Sequence, residues 1–149
     1  FLSALLSLFR LPLVYYVGLA SSSVVFLLTR DRHASGRVRF DQLDIVRRDP
    51  PDGDLVLCRE VLQHLPNAMV ARALPRFARF PAALLTNCVA RAPDRAMNAD
   101  VPLGHCRSAL GSGLDLTAPP FSIAAVERLR VAHDRLPFDI VTLELAAAR

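Results

Sequence analysis

Polar side chains stand at the ends of three short apolar runs in this 149-residue sequence. Asp44 follows the first run, Cys58 and Arg59 close the second, and Asn87 follows the third. In an open parallel sheet, small molecules bind at the carboxyl ends of the strands, at the switch in strand order. If the three runs are strands, these four residues are the first candidates for contact with a ligand.

Proton transfer and metal binding need other residue types, and the sequence offers few of them. His64 follows the second run, and its reference pKa of about 6.5 suits a general base. The same histidine also fits the packed face of a helix. His105 and Cys106 are the only adjacent pair of metal-ligand type, without a second pair at ligand spacing. Because a zinc site needs four converging ligands, we expect no metal site.

Cysteine usage and charge argue against two further classes. The three cysteines are odd in number and lack CxxC spacing, which argues against a disulfide framework and for a reducing compartment, the cytoplasm. The formal net charge is +4, and the 18 basic residues, all arginine, are spread from Arg10 to Arg149. A nucleic-acid surface normally clusters its basic residues, so we expect no nucleic-acid partner.

The front of the chain contains an uncharged stretch from Leu11 to Thr29, close to the roughly 20 residues of a membrane helix. A proline, a glycine and three serines interrupt it, at positions 12, 18 and 21–23. One interpretation is a single membrane span near residues 11–29. The other, which we favour, is a buried strand over Leu13–Leu19, followed by a helix that Ser21 or Ser22 caps.

The remaining sequence alternates short apolar runs with helical patterns, as an open α/β sheet does. We expect one domain over residues 1–149, with helices over residues 66–77 and Ser122–Leu129. The predicted parallel strands are Leu13–Leu19, Arg37–Leu43, Asp54–Cys58 and Ala83–Asn87, and Phe138–Leu145 is predicted to be antiparallel, at or near an edge.

Five segments, in this order, resemble the class I S-adenosylmethionine-dependent methyltransferases. Residues 14–20 (VYYVGLA) resemble the second strand of that family, and residues 40–45 (FDQLDI) resemble the segment that ends near the adenine. The most specific match is Asp54–Leu65 (DLVLCREVLQHL), which is similar to the fourth strand and the turn after it. Residues 84–87 and 98–121 resemble later segments.

The resemblance implies a Rossmann-like open sheet of mostly parallel strands, with S-adenosyl-L-methionine as cofactor. Asp44 would contact the adenine edge and Ile45 its face. Gly18 and Ala20 would lie where the second strand meets the ribose. Cys58 and Arg59 would lie near the methionine moiety, with a peptide carbonyl at Cys58 as the contact. The acceptor pocket would draw on four residues of later loops: Asn87, Asn98, Asp100 and Arg107.

Two departures from the family pattern bear on function. Ala20 stands where the family has an acidic residue for the ribose hydroxyls. The first strand and its glycine-rich cofactor loop, which we expect ahead of Phe1, have no counterpart here, so we expect an incomplete domain. Methyl transfer to an unidentified acceptor is therefore one hypothesis. An inactive methyltransferase-like binding or scaffold protein is a second, and a single-pass membrane protein is a third. The oligomeric state stays open.

Overall fold

The computed structural model describes residues 16–20, 27, 30–32, 34–36, 38–91, 97–133 and 137–145. The chain divides into two compact units, Phe1–Pro50 and Pro51–Arg149. The expectation of one domain over the whole chain stays a prediction.

The first unit contains two parallel strands, β1 (Tyr16–Ala20) and β2 (Val38–Gln42). Gly18 pairs with Phe40, and Ala20 pairs with Gln42, so both strands end at the same edge. Parallel strands need a crossover of a dozen or more residues. Residues 27 and 30–32, within that crossover, are helical, as predicted.

Strand β1 lies inside the stretch that a membrane span would need. A helix over residues 11–29 is incompatible with a strand over Tyr16–Ala20, so that alternative is wrong in its structural form. Among the described residues, none belongs to a helix that is both long enough and apolar enough to cross a bilayer.

The second unit contains a four-stranded sheet, built from β3 (Leu55–Arg59), β4 (Ala82–Ala90), β5 (Ala125–Ala132) and β6 (Phe138–Leu145). The strand order is β3-β4-β6-β5. Strands β3 and β4 are parallel, and β6 runs antiparallel to both of its neighbours. This arrangement confirms the predicted Rossmann-like sheet, with an antiparallel strand next to the edge.

One helix, α1 (Asn67–Phe77), connects β3 to β4 and begins directly after Pro66, whose φ of −54° suits a helix start. It buries Val70, Ala73, Leu74 and Phe77, which recur at the spacing of one helical face. The described part of this unit also contains two short 3₁₀ turns, Leu62–His64 and Ser108–Leu110.

In the sheet of the second unit, one face carries a hydrophobic core, whereas the other is exposed on its two edge strands and buried where Cys88, Ala90 and Phe138 pack together. Leu85, Val141 and Leu143 share the buried face, and each is at most 6% exposed. Leu55, Leu57 and Leu129 lie on the opposite face and are 47–55% exposed. The buried face is the hydrophobic core that fixes the register of the strands.

The predicted helix over Ser122–Leu129 is wrong, because β5 occupies Ala125–Ala132. Val126 and Leu129 are three residues apart, a spacing that places side chains on one face of a helix. A bulge between Glu127 and Leu129 resets the alternation of the strand, so the same two side chains share one face of the sheet. The bulged strand therefore has apolar residues at the three-residue spacing that is typical of a helix.

Candidate functional site

Asp44 lies two residues beyond the carboxyl end of β2, in a turn that its own atoms hold together. Its Oδ1 atom accepts a hydrogen bond from the amide of Val46 at 2.9 Å. Its carbonyl accepts from the amides of Arg47 and Arg48, at 3.1 and 2.9 Å. Ile45 is partly buried in the same turn. The turn presents Asp44 at the edge where Ala20 and Gln42 end β1 and β2.

One carboxylate oxygen of Asp44 is held only by a weak ion pair with Arg47. This Oδ2 atom lies 3.5 Å from Nε of Arg47, and the two side chains are 46% and 84% exposed. Exposed ion pairs contribute only about 0–1 kcal/mol. This oxygen can therefore exchange Arg47 for a hydroxyl or amino donor of a ligand while Oδ1 keeps the turn closed.

Cys58 and Arg59 lie at the carboxyl end of β3, and their peptide groups point in opposite directions. The Cys58 side chain is buried, and burial raises the pKa of its thiol to about 12. The thiol is thus neutral at physiological pH and is no nucleophile. The amide of Glu60 donates to the carbonyl of Thr86 at 2.7 Å. Because peptide direction alternates along a strand, the peptide groups of Cys58 also face β4, and those of Arg59 face the outer edge.

A sharp change of chain direction follows β3. Glu60 has a φ of 54°, and its carboxylate lies 3.8 Å from Nε of Arg59. The 3₁₀ turn that follows is fastened at both ends: the buried Gln63 side chain accepts the amide of Cys88 at 3.1 Å, and the carbonyl of His64 accepts the amide of Gly104. His64 is half-buried in this turn, close to the end of β3.

Three of the predicted acceptor residues come together with Asn67, and we name Asn67, Asn98, Asp100 and Arg107 the Arg107 cluster. Arg107 is 0% exposed. Its Nη2 atom donates to the carbonyl of Leu65 at 2.7 Å and to Oδ1 of Asn67 at 2.8 Å, and its Nη1 atom donates to the carbonyl of Ala99. The cluster fastens the loop after β4 to the start of α1.

Charge within the Arg107 cluster is only partly balanced. Burial lowers the pKa of the Arg107 guanidinium, and nearby Asp100 opposes that shift. The group nevertheless stays protonated, as arginine does in proteins. Asp100 itself accepts the amides of Asn67 and Val101, at 2.7 and 3.0 Å. Its exposed position makes it the member of the cluster that a ligand can reach.

Asn98 closes the same loop from within. Its side-chain amide donates to the carbonyls of Asp115 and Pro119, at 2.7 and 2.8 Å, and its Oδ1 atom accepts the amide of Asp115 at 2.8 Å. Its φ of 57° lies in the left-handed region, which asparagine tolerates better than most residues. Asn98 thus uses its side chain on the protein and positions the loop.

Asn87 lies on the buried face of β4, opposite Val141, and does not join the Arg107 cluster. It is 3% exposed, and its Oδ1 atom has no hydrogen-bond partner among the described residues. Such an atom usually bonds to a partner in proteins. Its depth in the sheet makes direct contact with a large acceptor unfavourable.

An apolar cavity in the second unit does not lie at the carboxyl ends of the strands. It has a volume of about 420 Å³ and is lined by apolar residues near the end of α1 and by Phe121 and Leu145. Because β6 is antiparallel to β4, Leu145 lies towards the amino end of β4. This groove is therefore separate from the strand ends that carry the candidate residues.

Sequence reasoning missed Asn67, Gln63 and Gly113. Asn67 and Gln63 look like ordinary polar residues beside a helix start, and their partners lie 25 to 40 positions away. Gly113 packs so closely against β4 that an added Cβ would lie 2.6 Å from the amide nitrogen of Ala90. Only the glycine at the end of a long loop hinted at this close approach.

Known proteins were compared with the chain in three ways. No protein-family model and no curated protein sequence matches it. Several solved structures do match. The CMeT domain of the citrinin polyketide synthase aligns with 98% of this chain and 42% of its own length, at 13% identity and a TM-score of 0.59.

Two further structures have a similar fold. Magnesium protoporphyrin IX methyltransferase (ChlM) from Synechocystis PCC 6803, with bound SAH, aligns with 88% of this chain and 64% of its own, at 14% identity and a TM-score of 0.53. The cyclase SpnF aligns with 66% and 41%, at 20% identity and a TM-score of 0.50. The chain spans less than two thirds of each of these proteins. At such identities the likeness shows the fold alone, and the chain shares the Rossmann-like fold of these three proteins.

Proposed function

We propose that the chain contributes to methyl transfer from S-adenosylmethionine to an acceptor. The observation that carries this proposal is the strand topology: the order β3-β4-β6-β5 in the second unit and the parallel β1–β2 pair in the first are each compatible with the fold of a methyltransferase that holds SAH. In open α/β sheets the ligand site is built from several strand ends at once. The described strand ends carry groups that suit such a ligand.

The adenosine side of the ligand is assigned to the Asp44 turn. Oδ2 of Asp44 accepts from a donor on the adenine or the ribose, and Ile45 packs against the adenine face. Gly18 and Ala20 complete this side from β1. Ala20 has no acceptor, so the ribose loses the charged hydrogen bonds that an acid would supply, about 1–3 kcal/mol. The affinity is therefore expected to be low.

The methionine side of the ligand is assigned to the end of β3. The peptide groups of Arg59, which point away from β4, replace the Cys58 carbonyl as the contact for the ligand's amino group. When bound, S-adenosylmethionine supplies an electrophilic methyl group on a good leaving group, so the protein needs no nucleophile of its own. The chain's task is to align the acceptor, and alignment alone can supply much of the rate.

The acceptor side is assigned to the loop after β4. Asn98 and Arg107 hold that loop, Asn87 supports the strand beneath it, and the exposed carboxylate of Asp100 is the group that meets the acceptor. His64 is the candidate base for an acceptor that must lose a proton. Replacement of His64 by Gln should then lower the rate at saturating acceptor without changing SAH affinity.

Calorimetric titration with SAH tests the cofactor assignment on the chain as it exists. We expect a dissociation constant weaker than about 1 µM, because Ala20 lacks an acceptor for the ribose hydroxyls. Asp44→Ala should weaken binding by about 1–3 kcal/mol. No heat of binding at millimolar SAH would contradict the proposal for this chain.

Asp44→Asn separates the two roles of this side chain. Its amide oxygen can still accept the amide of Val46, so the turn persists, but its charge is lost. A variant that binds SAH as tightly as the natural chain would show that Asp44 only shapes the turn. Asp52→Asn is the matched control, because Asp52 is 99% exposed and its ion pair with Arg79 lies in the other unit.

A binding or scaffold protein without transfer activity is the second candidate. Ala20 favours it, and so does the likeness to SpnF, because a fold shared with a cyclase does not fix one activity. The same titration discriminates between the two: SAH binding that depends on the Asp44 charge supports transfer, whereas a folded chain that does not bind SAH supports the scaffold.

A further inference from the structure

Strand β5 is an eight-residue edge strand that exposes apolar side chains on one face and the charged pair Glu127–Arg130 on the other. Of the described strands, only β6 pairs with β5, so the other edge of β5 is open. Three apolar side chains on it, Val126, Leu129 and Val131, are 47–55% exposed. Proteins usually protect an edge of this length, because its peptide groups can pair with another chain.

The peptide groups at the open edge follow from the pairing with β6. The amide of His133 donates to the carbonyl of Phe138 at 3.0 Å. The peptide groups of the even-numbered residues of β6 therefore point towards β5. Val126, Leu129 and Val131 stand opposite even-numbered residues, and their peptide groups point to β6. Four residues of β5 therefore direct their peptide groups outward: Ala125, Glu127, Arg130 and Ala132.

We propose that two copies of the chain associate through β5, antiparallel, about a two-fold axis between Arg128 and Leu129. In this register, Ala125 faces Ala132 of the second copy, and Glu127 faces its Arg130. Each of the four residues whose peptide groups point outward then lies opposite another such residue in the second copy. The peptide groups of the two strands can therefore form hydrogen bonds with each other. Val126 faces Val131 of the second copy, and the two-fold axis repeats this contact once. Each of the two contacts covers two apolar side chains that are exposed in the single chain.

The bulge in β5 makes this register possible. Residues that face each other across a two-fold antiparallel pair must project from the same face of the sheet. Glu127 and Arg130 are three residues apart and would lie on opposite faces of a regular strand. Because the bulge falls between Glu127 and Leu129, both side chains share the face of Val141 and Leu143.

Charge also selects this register over its neighbours. Within one copy, Arg130 bonds both oxygens of Glu127, at 2.9 and 2.6 Å. In the dimer, the two Glu127–Arg130 pairs lie side by side with opposite charges facing each other. A shift of one residue in either direction would set arginine against arginine, either Arg128 against Arg130 or Arg128 against itself. Like charges directly opposite are destabilising.

Sedimentation velocity across protein concentrations tests the association. Because eight-residue edge pairing buries little surface, we expect a reversible dimer that dissociates in the range of about 10–100 µM. Val131→Lys should weaken the dimer at least tenfold, since it sets a charge against Val126 of the second copy. Leu55→Lys is the matched control: Leu55 is also 47% exposed, but it lies on the opposite edge strand, β3.

Three results would overturn the proposal. These are a natural chain that stays monomeric at about 500 µM, a folded Val131→Lys variant that dimerises as before, and a Leu55→Lys variant that loses the dimer. Circular dichroism checks that both variants are folded.

A cross-linking experiment tests the register itself. In the double variant Val126→Cys/Val131→Cys, each new cysteine faces its counterpart in the second copy, within reach of a disulfide. Mild oxidation should therefore give a covalent dimer. With Val126→Cys alone, the two new cysteines are separated by four steps of the ladder, because the bulge removes one, and so lie roughly 13 Å apart at the rise of a strand, too far for a bond. Equal cross-linking of the single and double variants would show that this register is wrong.

Discussion

Arg107 and Arg130 are the same residue type in opposite surroundings. Arg107 is 0% exposed and bonds the carbonyls of Leu65 and Ala99 and the side chain of Asn67. The side chain of Arg130 is 44% exposed and bonds two carboxylates, those of Glu127 and Asp139. The buried arginine therefore has neutral acceptors as its bonding partners, whereas the exposed one has charged partners.

This difference shows that the charge of a bonding partner is a poor guide to how much a hydrogen bond contributes to the stability of the fold. The Arg130 pairs are in contact with water, where screening and side-chain entropy leave about 0–1 kcal/mol for each. The Arg107 bonds satisfy acceptors that are partly withdrawn from water, and each one left without a donor would destabilise the fold by about 1–3 kcal/mol. The Arg107 cluster should thus dominate the stability of the second unit.

Arg107→Met tests the contrast at its strongest. The substitution keeps an unbranched side chain but removes the Arg107 donors from three partly buried acceptors. We expect the free energy of unfolding in urea to fall by about 3–5 kcal/mol. Arg130→Met should lower it by only about 1 kcal/mol. Equal effects of the two substitutions would refute the contrast, and Arg107→Lys, which keeps one charged donor, should fall between the natural chain and Arg107→Met.

Asn98→Ala removes the four side-chain hydrogen bonds that hold the same loop and places alanine at a φ of 57°. Both changes destabilise, and we expect a loss of about 3 kcal/mol in the free energy of unfolding. Asn98→Gly loses the same bonds but tolerates the backbone angle, so it should be milder by about 1 kcal/mol. If alanine and glycine behave alike, the backbone angle makes no contribution to the effect.

Gly113→Ala tests how closely the loop approaches the sheet. The new Cβ would lie 2.6 Å from the backbone nitrogen of Ala90, which belongs to β4 and cannot easily move. We expect a loss of about 1–3 kcal/mol in the free energy of unfolding, the range for overpacking. Gly53→Ala is the control, because its Cβ would meet only Phe80 at 3.5 Å and should leave stability within about 0.5 kcal/mol.

Much of the fold was accessible from the sequence, because each buried strand is a short apolar run. The predicted run Asp54–Cys58 corresponds to Leu55–Arg59, and the predicted Phe138–Leu145 has the same bounds in the structure. The failure at β5 has a local cause. A bulge changes which residues share a face, and no single-sequence pattern distinguishes a bulged strand from a helix over three residues.

The candidate site was less accessible, because its contacts join distant positions. Arg107 bonds Asn67 forty residues away, and that pairing depends on the packing of a long loop rather than on any local motif. Three of the four residues that the sequence predicted for the acceptor pocket lie together in the Arg107 cluster, and their role towards an acceptor stays a prediction. The sequence did not show that Asn98 and Arg107 bond to the protein itself. The ligand contacts of Asp44, Cys58 and Arg59 stay predictions.

Asp139→Asn should have the smallest effect, and pH makes it identifiable. Hydrogen bonds from Arg91 and Arg130 hold the pKa of Asp139 below its ordinary value of 3.8. A carboxylate with a lowered pKa stabilises the fold above the unfolded-state pKa and loses that contribution as the pH falls through the folded-state pKa. Both arginines are about 40% exposed. We therefore expect Asp139→Asn to lower the free energy of unfolding by only about 1 kcal/mol at pH 7.

The difference between the natural chain and Asp139→Asn should begin to shrink as the pH falls below about 4, where the carboxyl of the unfolded chain takes up a proton. It should vanish once the pH has passed the lowered folded-state pKa, because the natural side chain is then neutral in both states. Urea unfolding at a series of pH values measures it. Asp52→Asn is the control, since its ion pair is almost fully exposed on the carboxylate side and should give no pH-dependent difference. A constant difference across the whole pH range would mean that Asp139 acts through packing rather than charge, and the exposed arginines would then lack the electrostatic role that sets them apart from Arg107.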